Sequence, residues 1–302
     1  MRKITPALVR MAMFVAAVMT AAACDISIGA AEFSVREEKK FAVTGPTQLT
    51  LTTFDGSIGV RGWDRNEVLI EVEKRGPDQA TVDRIQVKAT QNGNTIRLDV
   101  EKPSPLTTTG FQRSPSASLV VTVPLQTAIT ARSGDGSITI RRVNGKVDLD
   151  TDDGSVRVED VKGDLVVRTA DGSVRAREID GHAKINTGDG SVGVDGVFKS
   201  LEVETRDGSI EVTARTGSVV ESAWSVTTGD GSIRLEVPEG FSADLDAQSA
   251  DGRVRVEKRT GQAPVSAERD ESERGSARGK LGAGGKPLKL RSGSGSITVK
   301  SR

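Results

Sequence analysis

The chain has 302 residues, with 42 Lys+Arg against 42 Asp+Glu, 33 Gly, one His, one Cys and no Tyr. Zero formal net charge excludes a dominant pull toward nucleic acid or anionic lipid, and 3% aromatic content argues against a stacking platform for single strands. The lone Cys and lone His exclude an internal disulfide, a Cys-based structural zinc site and a His-paired metal site.

Residues 1–23 read as a signal peptide. Arg2, Lys3 and Arg10 form a basic start, Met11 through Ala23 an apolar run, and Ala21-Ala22-Ala23 a small-residue cleavage site. The run is shorter than the roughly 20 apolar residues a permanent membrane helix needs. Cys24 follows directly. An unpaired thiol on an exported chain is reactive unless something consumes it, and this placement resembles a bacterial lipobox. Lipidation at Cys24 is therefore expected, with residues 24–32 as a short tether. Ordinary cleavage after Ala23 or near Ala31 is the alternative. Asp25 resembles an inner-membrane retention signal of some Gram-negative bacteria.

Residues 33–130 read as β throughout and predict an irregular N-terminal cap with a hairpin excursion. Strand-like runs cover 67–73, 84–90, 95–101 and 117–123, and Asn92-Gly93 is a hairpin-turn signal between two of them. Leu49, Leu51 and Thr53 precede Asp55, with Ile58 and Val60 after it. A Pro/Thr/Ser-rich loop covers 102–116.

From residue 131 to the C-terminus a repeat dominates the chain. Asp-Gly-Ser recurs with its Asp at 55, 135, 153, 171, 189, 207 and 230, and every interval from Asp135 to Asp207 is 18 residues. Later intervals of 23, 21 and 43 residues lead to the degenerate copies Asp251-Gly252-Arg253 and Ser294-Gly295-Ser296, and read as inserted loops. Counting the Asp as position 0, apolar residues fall at 3, 5, 8, 12 and 14, as in Val156, Val158, Val161, Leu165 and Val167. The alternation at 3/5 and 12/14 marks strands with one buried face. Thr151, Thr169, Thr187 and Thr205 occupy position 16, and Gly145, Gly163 and Gly181 position 10. Each copy is strand, turn, strand, turn, and so short a unit buries its apolar face only by stacking on its neighbours.

The predicted fold is all-β: a right-handed parallel β-solenoid over residues 131–302, about 18 residues per coil. Propeller repeats run ~40 residues or more, and the apolar set lacks the six-residue period of left-handed hexapeptide solenoids. Trp224 and Val226, Leu245 and Ala247, and Leu288 and Leu290 fall on inward positions, and Ile297 and Val299 form the last strand. Residues 259–286 read as a polar inserted loop.

The pattern T-x-D-G-S-[VI]-x-V followed by G-x-L-x-V, the segment V-P-E-G-F-S-A-D-L at 237–245 and the terminal L-x-L-R-S-G-S-G-S-I-T-V resemble the bacterial "putative adhesin" β-strand-repeat family. The resemblance covers roughly residues 33–302. It implies the fold, and adhesion only as a name; it brings no catalytic residues.

The most regular feature is the turn ladder of Asp135-Gly136, Asp153-Gly154, Asp171-Gly172, Asp189-Gly190 and Asp207-Gly208. Gly tolerates positive φ at a corner and Asp can cap its own turn, so a structural role is expected. A Ca²⁺ ladder would use the same carboxylates, but the second half of each unit lacks the Gly-Gly-x-Gly-x-Asp element of calcium-binding repeats. A glycosidase pair needs carboxyls in unlike environments, and identical repeats give like ones. His182, at a variable outward position, reads as a surface residue and Trp63 as a packing residue of the cap. Outward charges such as Arg157, Glu159, Arg175, Arg177, Glu202 and Glu204 read as a self-compensating solvated face.

The expectation is a non-enzymatic, exported cell-envelope lipoprotein, held to a membrane through lipid on Cys24, with no cofactor, catalytic or metal site and no nucleic-acid partner. It would present its solenoid for adhesion or for an envelope or extracellular protein or glycan, on the outer membrane or cell surface. The alternative is a periplasmic structural or envelope-stress signalling partner. A β-helix polysaccharide-active enzyme is the remote one.

Overall fold

The computed structural model describes residues 33–103, 114–257 and 275–302, so the leader, Cys24 and the tether lie outside the described residues. All described strands join one open sheet with a single short helix.

The chain starts with β1 (Phe33–Ala42), then β2 (Thr47–Thr53) and β3 (Ile58–Trp63) on either side of the first Asp-Gly-Ser turn. There follow β4 (Glu67–Gly76), α1 (Gln79–Asp83), β5 (Gln86–Asn92), β6 (Thr95–Glu101), β7 (Ser116–Pro124) and β8 (Thr127–Ser133). The helix precedes the predicted 84–90 strand, which is observed from Gln86; Asp78 caps the helix, accepting from the Thr81 amide at 2.7 Å. The regular repeats are β9 (Ile138–Asn144), β10 (Val147–Thr151), β11 (Val156–Thr169), β12 (Val174–Thr187) and β13 (Val192–Asp207). The remainder comprises β14 (Ile210–Ala214), β15 (Trp224–Asp230), β16 (Ile233–Val237), β17 (Ala243–Asp251), β18 (Val254–Glu257), β19 (Ser276–Leu281), β20 (Pro287–Ser294) and β21 (Ile297–Ser301).

In β11, Val156, Val158, Val161, Leu165, Val167 and Thr169 point inward, while Arg157, Glu159 and Arg168 are exposed. β12 lies parallel beside it, each residue facing the one 18 positions earlier, from Val156↔Val174 to Thr169↔Thr187. The chain turns between the two halves of a repeat at Gly145 (φ 156°), Gly163 (φ 133°) and Gly181 (φ 144°), as position 10 predicted. A second bend was not legible. Arg142, Asp160 and Glu178, all at position 7, hold left-handed φ values of 53–58° with nothing in their side chains to announce it.

The next repeat breaks the pattern. Gly196 stands at position 7, and pairing slips by one residue between Ala176/Ile179 and Gly181/His182. Because side chains alternate, a one-residue slip exchanges faces. Val197 turns outward and Phe198 becomes fully buried. Phe198 meets Trp224 edge-on at 6.2 Å between ring centroids, and Trp224 meets Phe241 at 5.2 Å. Three rings thus fill the core where inserted loops interrupt the aliphatic columns.

Two parallel stacks build the body. One runs β7, β3, β9, β11, β12, β13, β14, β16, β21, β18. The other runs β6, β2, β8, β10, β11, β12, β13, β15, β20, β17. One apolar core lies between them along their length. Neither order is the chain order. At one end β2–β3 sits between β6–β7 and β8–β9; at the other, β20–β21 sits between β15–β16 and β17–β18. Ile297 and Val299 are therefore last in the chain but interior in space.

Antiparallel strands cover the margins: β5 on β6, β4 on β7, β1 on β4, and β19 on β17. Two readings change accordingly. Within 33–130, strands β2, β3, β6, β7 and β8 are members of the stacks, and only the others act as cover. Within 259–286, residues 276–281 form β19 on an edge that would otherwise be open.

Candidate interaction surface

The turn ladder is built by contacts between coils. A Cβ added at Gly154 would lie 2.2 Å from the Gly136 carbonyl oxygen, and one at Gly172 would lie 2.1 Å from that of Gly154. Gly190 and Gly208 meet the preceding turn in the same way. None of these glycines, nor Gly136, has a left-handed φ. Close approach of one backbone to the next, rather than the expected corner geometry, requires glycine here.

Threonine closes the turns. Thr151 Oγ1 donates to the carbonyls of Gly134 (2.8 Å) and Gly136 (3.0 Å), Thr187 Oγ1 to Gly172 (3.0 Å) and Thr205 Oγ1 to Gly190 (3.1 Å). Thr169 Oγ1 also accepts from the Gly172 amide at 3.1 Å, fastening its own turn. Each hydroxyl is buried, where an unpaired one would cost about 1–3 kcal/mol. The β pattern showed this column facing inward, but its partners were out of sight because they lie one coil away.

Asp135, Asp153, Asp171, Asp189 and Asp207 are all exposed. Among the described residues none of these carboxylates accepts from the backbone of its own turn, so the threonines do the fastening expected of them. Arg206 bridges Asp189 and Asp207, offsetting their repulsion. In the irregular coil, burial pushes the Asp55 carboxyl above its usual range and the Asp135 charge adds to this, against a smaller opposing pull from Lys102. No group of three or more His, Cys, Asp or Glu side chains converges as a metal cluster among the described residues.

His182 is exposed, with Nδ1 2.8 Å from Ser200 Oγ. Trp63 Nε1 donates to the Glu67 carbonyl at 2.8 Å, and the Arg65 guanidinium lies 4.9 Å from its ring centroid. Among the described residues neither belongs to a larger constellation.

Some outward charges neutralise one another across coils. Arg141 pairs with Glu159 (3.3 Å), Arg168 with Asp148 (2.9 Å), Lys184 with Glu202 (2.9 Å) and Arg215 with Asp195. Such exposed pairs are worth at most about 1 kcal/mol each, so they set surface potential more than stability. Arg157 and Arg175 are among the cations outside such pairs. They face each other directly in β11 and β12, both exposed, and among the described residues neither has an ion-pair partner. Like charges one strand spacing apart, about 4.8 Å, repel by roughly 0.9 kcal/mol in water. They border a groove of about 480 Å³ also lined by Ser155, Ser173, Ser191 and Gly193, whose missing side chain leaves open space.

A larger recess of about 820 Å³ lies at the far end of the stacks, lined by Asp251, Ser276, Arg278 and Arg291 among others. Arg278 and Arg291 both bind Asp246, at 3.2 and 2.6 Å. Burial pushes the Asp246 carboxyl up, but hydrogen bonds from Arg291 and then Arg278 outweigh it and hold it below the usual range.

Residues 46–300 match the Toastrack DUF4097 family. The chain belongs to this family. The matched span of the Toastrack chain begins one residue before β2 and ends within β21, so it takes in both stacks and leaves out β1. No curated protein matches the sequence.

Solved structures of several bacterial proteins are similar to it, three of them as follows. A "putative lipid binding protein" from Parabacteroides distasonis ATCC 8503 is 16% identical over 88% of this chain and 96% of its own, at a TM-score of 0.46. A "putative adhesin" from Bacteroides fragilis NCTC 9343 is 14% identical over 88% and 97%, at 0.38. A "putative cell adhesion protein" from Clostridium sporogenes ATCC 15579 is 13% identical over 88% and 100%, at 0.27.

Proposed function

We propose that this Toastrack protein is a non-enzymatic cell-envelope lipoprotein, anchored by lipid on Cys24, that presents the outer faces of a right-handed β-solenoid for adhesion or for a protein or glycan of the envelope. The regular coils are read as 18 residues long, a size supported by the 18-residue offset of every pair between β11 and β12. The observation that carries the functional reading is the construction of the surface. Buried threonines and close glycine turns tie successive coils together, while the outward positions vary from coil to coil. A rigid frame with a variable exterior suits recognition. The sequence around Cys24 supports the anchor.

Protease treatment of intact cells, with immunodetection of the stacked region, tests the location. Cleavage on intact cells is the expected result. Protection until the envelope is opened would instead favour the periplasmic structural or signalling partner. Mass analysis of the mature N-terminus, with Cys24→Ser beside it, tests the anchor: a diacylglycerol-sized addition present only in the parent chain is expected.

A further inference from the structure

We propose that the groove bordered by Arg157 and Arg175 binds a saccharide carrying sulfate or phosphate esters. The inference rests on reading the outer face as an interaction surface and names the chemistry of its ligand.

Four observations carry it. The two arginines are a like-charged pair held side by side by the β11–β12 register, and among the described residues neither forms an ion pair. Two guanidinium forks about 4.8 Å apart can bracket one tetrahedral oxyanion, each supplying paired N–H donors. The hydroxyls of Ser155, Ser173 and Ser191 stand exposed along the same groove at the same spacing, donors and acceptors suited to a hydroxyl-rich chain. Gly193 then leaves the next coil open, which gives the ligand room beyond the arginines.

The groove also discriminates. Its described lining contains no aromatic ring, so bases would find no stacking partner. Glu211 follows Gly193 along the lining and faces Arg234 in the next coil, so beyond the open position the lining carries both signs, and the like-charged stretch is the arginine pair. A ligand with separated charges on a neutral sugar frame fits better than a uniformly charged polymer.

Titration calorimetry with the whole mature chain tests the proposal, using a chondroitin sulfate hexasaccharide, its desulfated form and phosphorylated maltohexaose. The two ester-bearing probes report whether sulfate, phosphate or both are accepted. Binding of at least one, tenfold or more weaker for the desulfated form and for Arg157→Gln/Arg175→Gln, is expected. Arg132→Gln removes an exposed cation from the other stack and should leave affinity within twofold. Thermal melts of both variants should be no lower than the parent's, since these side chains are exposed and loss of the arginine pair relieves repulsion. Equal losses for Arg132→Gln and the double variant would reduce the effect to general charge attraction and overturn the proposal. So would binding to phosphatidylglycerol vesicles alone, or no binding to either ester-bearing probe. Any of these leaves the envelope reading standing, because location and lipidation are measured separately.

Discussion

The two ends of the stacks solve one problem with different completeness. Each intercalates a coil out of chain order, β2–β3 at one end and β20–β21 at the other. At the first end both margins carry antiparallel strands, β5 on β6 and β4 on β7, with β1 beyond β4. At the second, β19 covers β17, and among the described residues β18 pairs on one side only, with β21. Val254 and Val256 of β18 stay half-buried, whereas Leu119 and Val121 of β7 are buried. An antiparallel strand stops a parallel stack because its direction prevents the next coil from continuing. The end with less cover relies on the intercalated coil.

The largest effect should come from removing that coil. Truncation before Pro287 deletes Leu288, Leu290, Ile297 and Val299, each no more than 1% exposed, and separates β15–β16 from β17–β18. At about 2–5 kcal/mol per large aliphatic side chain, the loss approaches a typical whole-domain stability of about 5–15 kcal/mol. Hydrogen exchange should show β14 through β19 unprotected. Removing Phe33–Lys40 from β1 should leave exchange in both stacks nearly unchanged, since none of those residues is buried. Equal damage from the two truncations would break the comparison.

Paired glycine substitutions sharpen it. A Cβ at Gly56 would lie 2.3 Å from the Ala117 carbonyl, in a coil with neighbours on both sides, and φ there is +132°. A Cβ at Gly252 would lie 2.1 Å from the Gly295 carbonyl, but among the described residues the β18 that follows it pairs on one side only, with β21. Gly56→Ala should cost about 2–4 kcal/mol in denaturant unfolding and Gly252→Ala about 1. Near-equal values would mean that β19 clamps the terminal coil as firmly as a full neighbour.

How far the sequence carried follows from where each signal lives. The turn ladder and the inward columns were legible because every copy repeats them within a few residues. The Trp224 position was legible too, counted back from Asp230. Intercalation was not: Leu288 and Leu290 fit the repeat equally well at the end of the stack or inside it. Spatial order depends on which edges are free when the chain returns. The burial of Phe198 was hidden for another reason, since only pairing reveals a one-residue slip. Of the candidate surface, Arg157 and Arg175 were seen as outward charges among others. Their side-by-side placement, with no ion pair on either among the described residues, became visible only with the strand register.

Acid should loosen the covers at both ends before it disturbs the regular coils. Glu73 joins β4 to Arg36 of β1, and burial that would raise its carboxyl is outweighed by hydrogen bonds from Arg36 and Arg75, which hold it low. Asp246 does the same for Arg278 of β19 and Arg291 of β20. A carboxyl held low in the folded chain contributes stability fully above its ordinary range, and this is lost as pH falls through the lowered value. Amides of β1 and β19 should therefore gain exchange between neutral pH and pH 3, after correction for intrinsic rates, before those of β11 and β12 do. Loosening of the regular coils first would place the acid-sensitive contacts elsewhere.

The smallest effect has the opposite sign. Asp55 sits in the intercalated coil at the better covered end, and burial first, then the Asp135 charge, hold its carboxyl above the ordinary range. A raised carboxyl binds its proton more tightly in the folded chain than in the unfolded one. It therefore costs stability above the raised value and nothing below the ordinary one. Asp55→Asn should stabilise the protein by a few tenths of a kcal/mol at neutral pH, with the gain vanishing toward pH 3. Asp251, the equivalent position at the other end, has an exposed carboxylate, and Asp251→Asn should change nothing at either pH. A gain at both positions would mean that the whole Asp column repels. A gain at Asp55 alone would trace it to the extra burial that β6–β7 and Asp135 impose from either side of this coil.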